Sequence, residues 1–304
     1  MRLFAVTTWI VFINLAFSGS GTAMQPNHTD EAPWVQWGEE FPAWVENTAP
    51  FRVIGNIYYV GTKGLSSFLI TSDKGYILLD GGLPQNASMI AENIRQLGFN
   101  TSEIIYLLNS HAHFDHSGGL QTLKEITGAR LVASEGDRSA LEGGFYLGSE
   151  NNINYSAPPV HVDQIIEGGE TITLGNTALT ARITPGHTRG CTSWTMTATE
   201  GGKNYDVLFF CSASVAGNSL VPPQYEGIVE DYKHTFESTR TWRPDVLLVN
   251  HPFYFNMEEK RAKQSEGNPL AFVDRTGFQD LMRRLEANFT QSLKEAMDSQ
   301  APSD

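Results

Sequence analysis

The chain has 304 residues, 40% of them hydrophobic and 18% charged, the proportions of an ordinary globular protein with material for a sizeable core. Its 21 Lys and Arg stand against 34 Asp and Glu, a net charge of −13. A surface that negative repels phosphate backbones and anionic lipid, which excludes nucleic acid as a partner.

At the N-terminus, Arg2 precedes an apolar run from Leu3 to Phe17, and small residues follow up to Ala23. A short basic start, an apolar stretch and a small-residue exit form the pattern of a secretory leader. The run is short for a bilayer span. Gly21 and Ala23 place cleavage after Ala23, so residues 1–23 read as a signal peptide and 24–304 as the mature domain. The expected location is periplasmic or secreted, with no membrane anchor once the leader is removed. Two cysteines remain, Cys191 and Cys211. In an exported protein such a pair is one disulfide or two buried thiols, and the sequence leaves both open.

Residues 25–50 show no period and read as an irregular arm or lid, anchored by Trp34, Trp37 and Trp44. Runs rich in β-branched and aromatic residues at 51–60, 66–71 and 75–79 predict the strands of a meander, punctuated by Gly64 and Asp73-Lys74-Gly75. Asp80-Gly81-Gly82 ends the last of them. Met89, Ile90, Ile94 and Leu97 recur at helical spacing and predict a helix over 86–97. Residues 104–108 form a short apolar strand that runs straight into His111. In the second half, 171–183, 193–199 and 207–210 read as strands and 230–242 as a helix. Residues 246–249 read as a buried strand that delivers His251, and 272–297 as a long amphipathic helix. Strand runs followed by helices, twice over, predict two sheets packed face to face with helices outside, in one domain.

The segment Asn109-Ser110-His111-Ala112-His113-Phe114-Asp115-His116-Ser117-Gly118-Gly119 carries the chemistry. His111 and His113 are two apart, so an extended backbone points both to one side. Asp115 and His116 follow where the chain turns and face the same space from another angle. Imidazole suits zinc, and a carboxylate serves as a further ligand type. His187, in Pro185-Gly186-His187-Thr188, and His251, in Asn250-His251-Pro252, also sit at strand ends. The other histidines, His28, His161 and His234, lack that setting and read as structural or surface residues.

His-x-His-x-Asp-His, then Pro-Gly-His-Thr, then a late strand-end His, resembles the metallo-β-lactamase superfamily over essentially the whole mature chain. More closely, the text is similar to the third subclass of class B β-lactamases. Leu78 to Gln85, Asn109 to Gly119, Gly186 to Trp194, Glu230-Asp231-Tyr232 and Asp245 to Leu248 carry that similarity. The resemblance implies an α/β fold, a four-layer αββα sandwich with two zinc ions at one edge of the sheets. His111, His113 and His187 would hold the first zinc, and Asp115, His116 and His251 the second. In the commonest subclass the position of His116 is not His and a later Cys binds metal. Cys211 lies near where that Cys falls, but the presence of His116 removes the need for it, and the resemblance pairs Cys211 with Cys191.

The implied activity is zinc-dependent hydrolysis of the amide bond of β-lactam antibiotics (penicillins, cephalosporins, carbapenems), with Asp115 orienting the attacking water. Ser212 and Ser214 are the expected partners of the substrate carboxylate or of water, and Asn218 an expected donor to the carbonyl oxygen. The loop from Gly143 to Gly148 is the expected wall of the groove. The enzyme would act on its small-molecule substrate as a monomer. A lactonase or glyoxalase II-type thioesterase is a competing reading, opposed by the leader and by the lack of an acidic residue over 207–213. A non-catalytic zinc-binding exported protein is another, opposed by the intact ligand set.

Overall fold

The computed structural model describes residues 34–300, so the leader, its cleavage site and His28 lie outside the described residues. Where it is described, the expected irregular arm contains a short helix, α1 (Val35–Glu40), followed by a 3-10 turn at Pro42–Trp44. The expected strand over 51–60 is instead a hairpin, β1 (Phe51–Ile54) and β2 (Ile57–Tyr59), turning at Gly55-Asn56. Then come β3 (Phe68–Ser72), β4 (Gly75–Leu79), α2 (Ala87–Gln96), β5 (Ile104–Leu108), α3 (Phe114–Ser117) and α4 (Leu120–Thr127). β6 (Arg130–Ala133), α5 (Glu135–Gly143) and β7 (Gln164–Ile165) close the first half.

The expected strand over 171–183 is likewise two, β8 (Thr171–Leu174) and β9 (Thr177–Ile183), paired antiparallel about Gly175-Asn176. Both hairpins place glycine at the first corner, with φ of +53° at Gly55 and +57° at Gly175, a conformation that carries no penalty without a Cβ. β10 (Thr192–Glu200), β11 (Lys203–Phe210), α6 (Ile228–Ser238), β12 (Val246–Val249), α7 (Met257–Ser265) and α8 (Gly277–Asp298) complete the chain. α8 begins five residues later than the apolar pattern predicts: Val273 bridges to Val246, and the Asp274 carboxylate accepts from the Gly277 backbone N–H (3.0 Å), marking the start of the helix.

The strands form a seven-stranded sheet, ordered β1 to β7, and a five-stranded sheet, ordered β12-β11-β10-β9-β8. Alternation along the strands sorts the core. In the larger sheet Phe68, Ile70, Ile77, Leu79 and Leu108 face the smaller sheet, whereas Leu69, Leu78 and Leu107 face Ile90 and Ile94 of α2 and Leu120 and Leu123 of α4. In the smaller sheet Phe209 meets Phe68 edge to face across the interior (5.3 Å), while Phe210 turns outward onto Phe278 of α8 (5.2 Å). Each such ring removed from water stabilises the fold by about 1.5–3 kcal/mol. β12 is buried on both faces, as its unbroken Val-Leu-Leu-Val run requires. The layers are therefore helix, sheet, sheet, helix. Fully buried Trp194 of β10 donates its indole N–H to the Asn109 carbonyl (3.4 Å), tying the smaller sheet to the exit of β5. Among the described residues, no helix is long and apolar enough to cross a membrane.

Candidate metal centre

Four strand exits meet at one edge of the sandwich. β5 leads through Asn109-Ser110 to His111 and His113, and α3 carries Asp115 and His116 in its single turn. His187 follows β9 and His251 follows β12. The larger sheet thus supplies four of the expected donors and the smaller sheet two. The Asp80-Gly81-Gly82 turn after β4 holds the first group in place. Asp80 sits at φ +63°, and its buried carboxylate accepts from Ser110 N–H (2.7 Å) and the Asn109 amide (3.3 Å). Gly81 N–H donates to the His116 carbonyl (2.8 Å). Burial pushes the Asp80 carboxyl up to about 6, against the pull of His116 and Ser110.

All the expected donors come together, in two groups. His111, His113 and His187 form one, with His113 Nδ1 3.1 Å from His187 Nε2 and the His111 ring 4.6 Å from that of His187. Asp115, His116 and His251 form the other. Asp115 Oδ2 lies 3.0 Å from His116 Nε2 and 3.4 Å from His251 Nε2, and the two imidazole nitrogens are 3.2 Å apart. His111 also lies beside Asp115 and His116, so the groups share a wall.

The outward ring nitrogens fix the tautomers. His187 Nδ1 donates to the Ser214 carbonyl (2.7 Å) and His251 Nδ1 to the Gly64 carbonyl (3.0 Å), so Nε2 of each neutral ring presents a lone pair inward. His111 Nε2 is buried with no protein partner, as is His116 Nδ1. The inward nitrogens of His187 and His251 therefore face ring nitrogens of His113 and His116 at 3.1 and 3.2 Å, pairs that a proton or a cation must bridge. Burial drives His111 and His113 well below the ordinary imidazole range and His187 down to about 4, so all three are neutral at pH 7. In the second group burial alone would raise Asp115 and lower His116. Their mutual attraction outweighs it, holding the carboxyl well below and the imidazole above its usual range. The donor chemistry, the inward lone pairs and the orphaned nitrogen all fit a divalent, imidazole-seeking metal.

Cys191 and Cys211 form a disulfide beside His111, spanning 20 residues and linking the start of β10 to the exit of β11. No thiolate is left to bind metal, which closes the alternative of Cys211 as a ligand. Ser212 and Ser214 flank His187: their hydroxyls lie 3.2 Å apart, with Ser214 Oγ 3.4 Å from His187 Nδ1. Asn218 departs from expectation. Its amide donates to the His187 carbonyl (2.9 Å) and the Tyr232 hydroxyl (3.1 Å), and its oxygen accepts from Tyr146 (2.7 Å), so it braces the His187 loop and has no free hydrogen for a substrate.

From the Gly143–Gly148 loop, Tyr146 reaches the centre and stacks on His113 (4.1 Å, 11° between planes), a contact that periodicity cannot pair. Phe145 instead packs on the outer helical layer. In the arm, Trp37 stacks on Phe114 (5.0 Å) and Trp44 lies 5.8 Å from His251, while Trp34 contributes its carbonyl to Gln85 (3.3 Å). His161 pairs with Glu142 on the surface and His234 is exposed.

Residues 60–249 match the family model of the metallo-β-lactamase superfamily. The crystal structure of BJP-1, a subclass B3 metallo-β-lactamase of Bradyrhizobium japonicum, superposes with a TM-score of 0.83 at 43% identity, over 85% of this chain and 98% of that one. Native FEZ-1 metallo-β-lactamase from Legionella gormanii gives a TM-score of 0.81 at 38% identity, over 83% and 98%. Among curated relatives, a hydroxyacylglutathione hydrolase of Maricaulis maris is 31% identical over 105 residues, 34% of this chain and only 33% of that protein's length.

Proposed function

The chain belongs to the metallo-β-lactamase superfamily, and from that membership and the geometry of its centre we propose that it hydrolyses the amide bond of β-lactams with two zinc ions. The observation that carries the reading is the convergence of two donor groups on one edge, in a fold that superposes on subclass B3 enzymes. His111, His113 and His187 would hold one zinc and Asp115, His116 and His251 the other. Zinc bound there supplies Lewis acidity and a source of hydroxide near neutral pH.

The chain's own residues supply the order. Asp115 stays ionised and accepts a hydrogen from the attacking water, which aims the oxygen lone pair at the lactam carbonyl. Ser110 Oγ, 3.0 Å from His111 Nδ1, and the Ser214 and Gly64 carbonyls keep the imidazoles from rotating. Ser214, partly exposed beside His187, offers its hydroxyl to the substrate carboxylate, with Ser212 supporting it from below. The leader over 1–23 directs export, where the Cys191–Cys211 disulfide persists.

The thioesterase reading is weaker. β11 and its exit carry no acidic residue between Val207 and Ala213, and Cys211 is tied up in the disulfide. The test is hydrolysis of a carbapenem and a chromogenic cephalosporin by the purified protein, with a glutathione thioester and a lactone as comparison substrates. Lactam turnover that a chelator abolishes and zinc restores is the expected result. A zinc-loaded protein that cleaves only the thioester or the lactone refutes the proposal.

A further inference from the structure

The first donor group takes His111 and His113 from the loop after β5 and His187 from the loop after β9. Between those loops stands one buried side chain, Asp137, from the first turn of α5. Its Oδ2 accepts from the Ala112 N–H and the Thr188 hydroxyl, both at 2.9 Å, and its Oδ1 accepts from Gly190 N–H at 2.9 Å. Ala112 lies between two of the donors in sequence, and Thr188 directly follows the third. The approach has no slack. Ser134 Oγ donates to the Gly190 carbonyl (2.6 Å), and a Cβ on Gly190 would stand 2.3 Å from Asp137 N. A Cβ on Gly136 would come within 2.8 Å of Gly190 Cα.

A carboxylate is costly to bury, and here only neutral donors compensate it. An apolar residue would fill the space without that cost but would leave Ala112 N–H and Gly190 N–H unpaired. We infer that Asp137 is a positioning residue for the first metal: it joins the two loops and sets the separation of His111 and His113 from His187. It touches neither metal nor substrate. The inference rests on the metal-centre reading above.

The test measures zinc affinity directly. Wild type, Asp137→Asn and Thr188→Val are stripped of metal and titrated with zinc against a chromophoric chelator. The d–d spectrum of the first equivalent of cobalt(II) is recorded alongside. Asp137→Asn keeps the shape but turns a donor toward other donors. It should weaken the first equivalent by about 10–100-fold, the usual range for removing a partner behind a metal ligand, and alter the cobalt spectrum. Thr188→Val, which removes one of the three bonds, should weaken it less. Leu281→Ala, a buried cavity variant in α8, controls for general loosening and should bind normally. Wild-type affinity in Asp137→Asn, or an equal loss in Leu281→Ala, overturns the inference while leaving the metal centre standing. A wild-type chain that takes up no zinc overturns both.

Discussion

Acid titration of the metal-free protein tests whether burial holds the donors neutral. His187 falls from 6.5 to about 4, chiefly through burial, with its hydrogen bond to the Ser214 carbonyl opposing the shift. In the unfolded chain it titrates near 6.5. Between those values the unfolded state binds a proton that the folded state refuses. The contribution of His187 is therefore intact above pH 6.5 and is lost as the pH falls toward 4. The gap of about 2.5 units (6.5 less 4) costs about 3 kcal/mol by pH 4. Asp80 and Asp137 work in the opposite sense: burial pushes both up to about 6, so between pH 3.8 and 6 the folded state takes up their protons first. The total stability curve mixes the two effects, and the readout is a difference. Urea unfolding of chelator-treated wild type and His187→Gln, followed by tryptophan fluorescence from pH 7.5 to 4, should show the two stabilities converging by about 3 kcal/mol as the pH drops. A constant difference across that window would mean that the imidazole titrates normally in the fold, and the argument for preformed neutral ligands would fail.

Asp115→Asn removes the charge between His116 and His251. It should lower affinity for the second zinc at least about tenfold and lactam turnover by about a hundredfold or more, read by metal analysis after dialysis and by steady-state kinetics. Replacing Cys191 and Cys211 by serine releases a loop spanning 20 residues and should cost about 3 kcal/mol in urea unfolding. Tyr146→Phe leaves the Asn218 oxygen without its 2.7 Å donor, at a cost of about 1–3 kcal/mol, with a matching fall in melting temperature.

The sequence showed the centre better than it showed the frame around it. His111, His113, Asp115 and His116 were legible because ligand chemistry and strand spacing coincide within one short segment. His187 and His251 followed from their places at strand exits. The two Gly-Asn hairpins lie inside runs that the apolar pattern predicts as single strands, since their flanks are equally apolar and the turn signal is only two residues long. The apolar pattern starts α8 early because Phe272 and Val273 continue it, although Phe272 packs on Phe51 and Val273 bridges to Val246. Asp137, Asn218 and Tyr146 were beyond periodicity altogether. Each acts across dozens of residues, and nothing in a lone Asp, Asn or Tyr distinguishes a brace from a surface residue. For Asn218 the chemistry expected of an amide was sound, but both its hydrogens had already been claimed by the protein.

The donors' origin also bears on how the centre is assembled. His113 and His187 meet only when the exits of β5 and β9 have been brought together, and those strands belong to different sheets. The inward lone pairs depend on carbonyls at Gly64 and Ser214, remote in sequence from the rings they orient. No single segment of the nascent chain can therefore assemble the centre. In small zinc domains the ion itself organises an otherwise unfolded peptide. Here closing the two sheets is what brings the donors together, so the metal-free chain should keep the far-UV circular dichroism of the metal-loaded protein, and its loss on chelation would refute this.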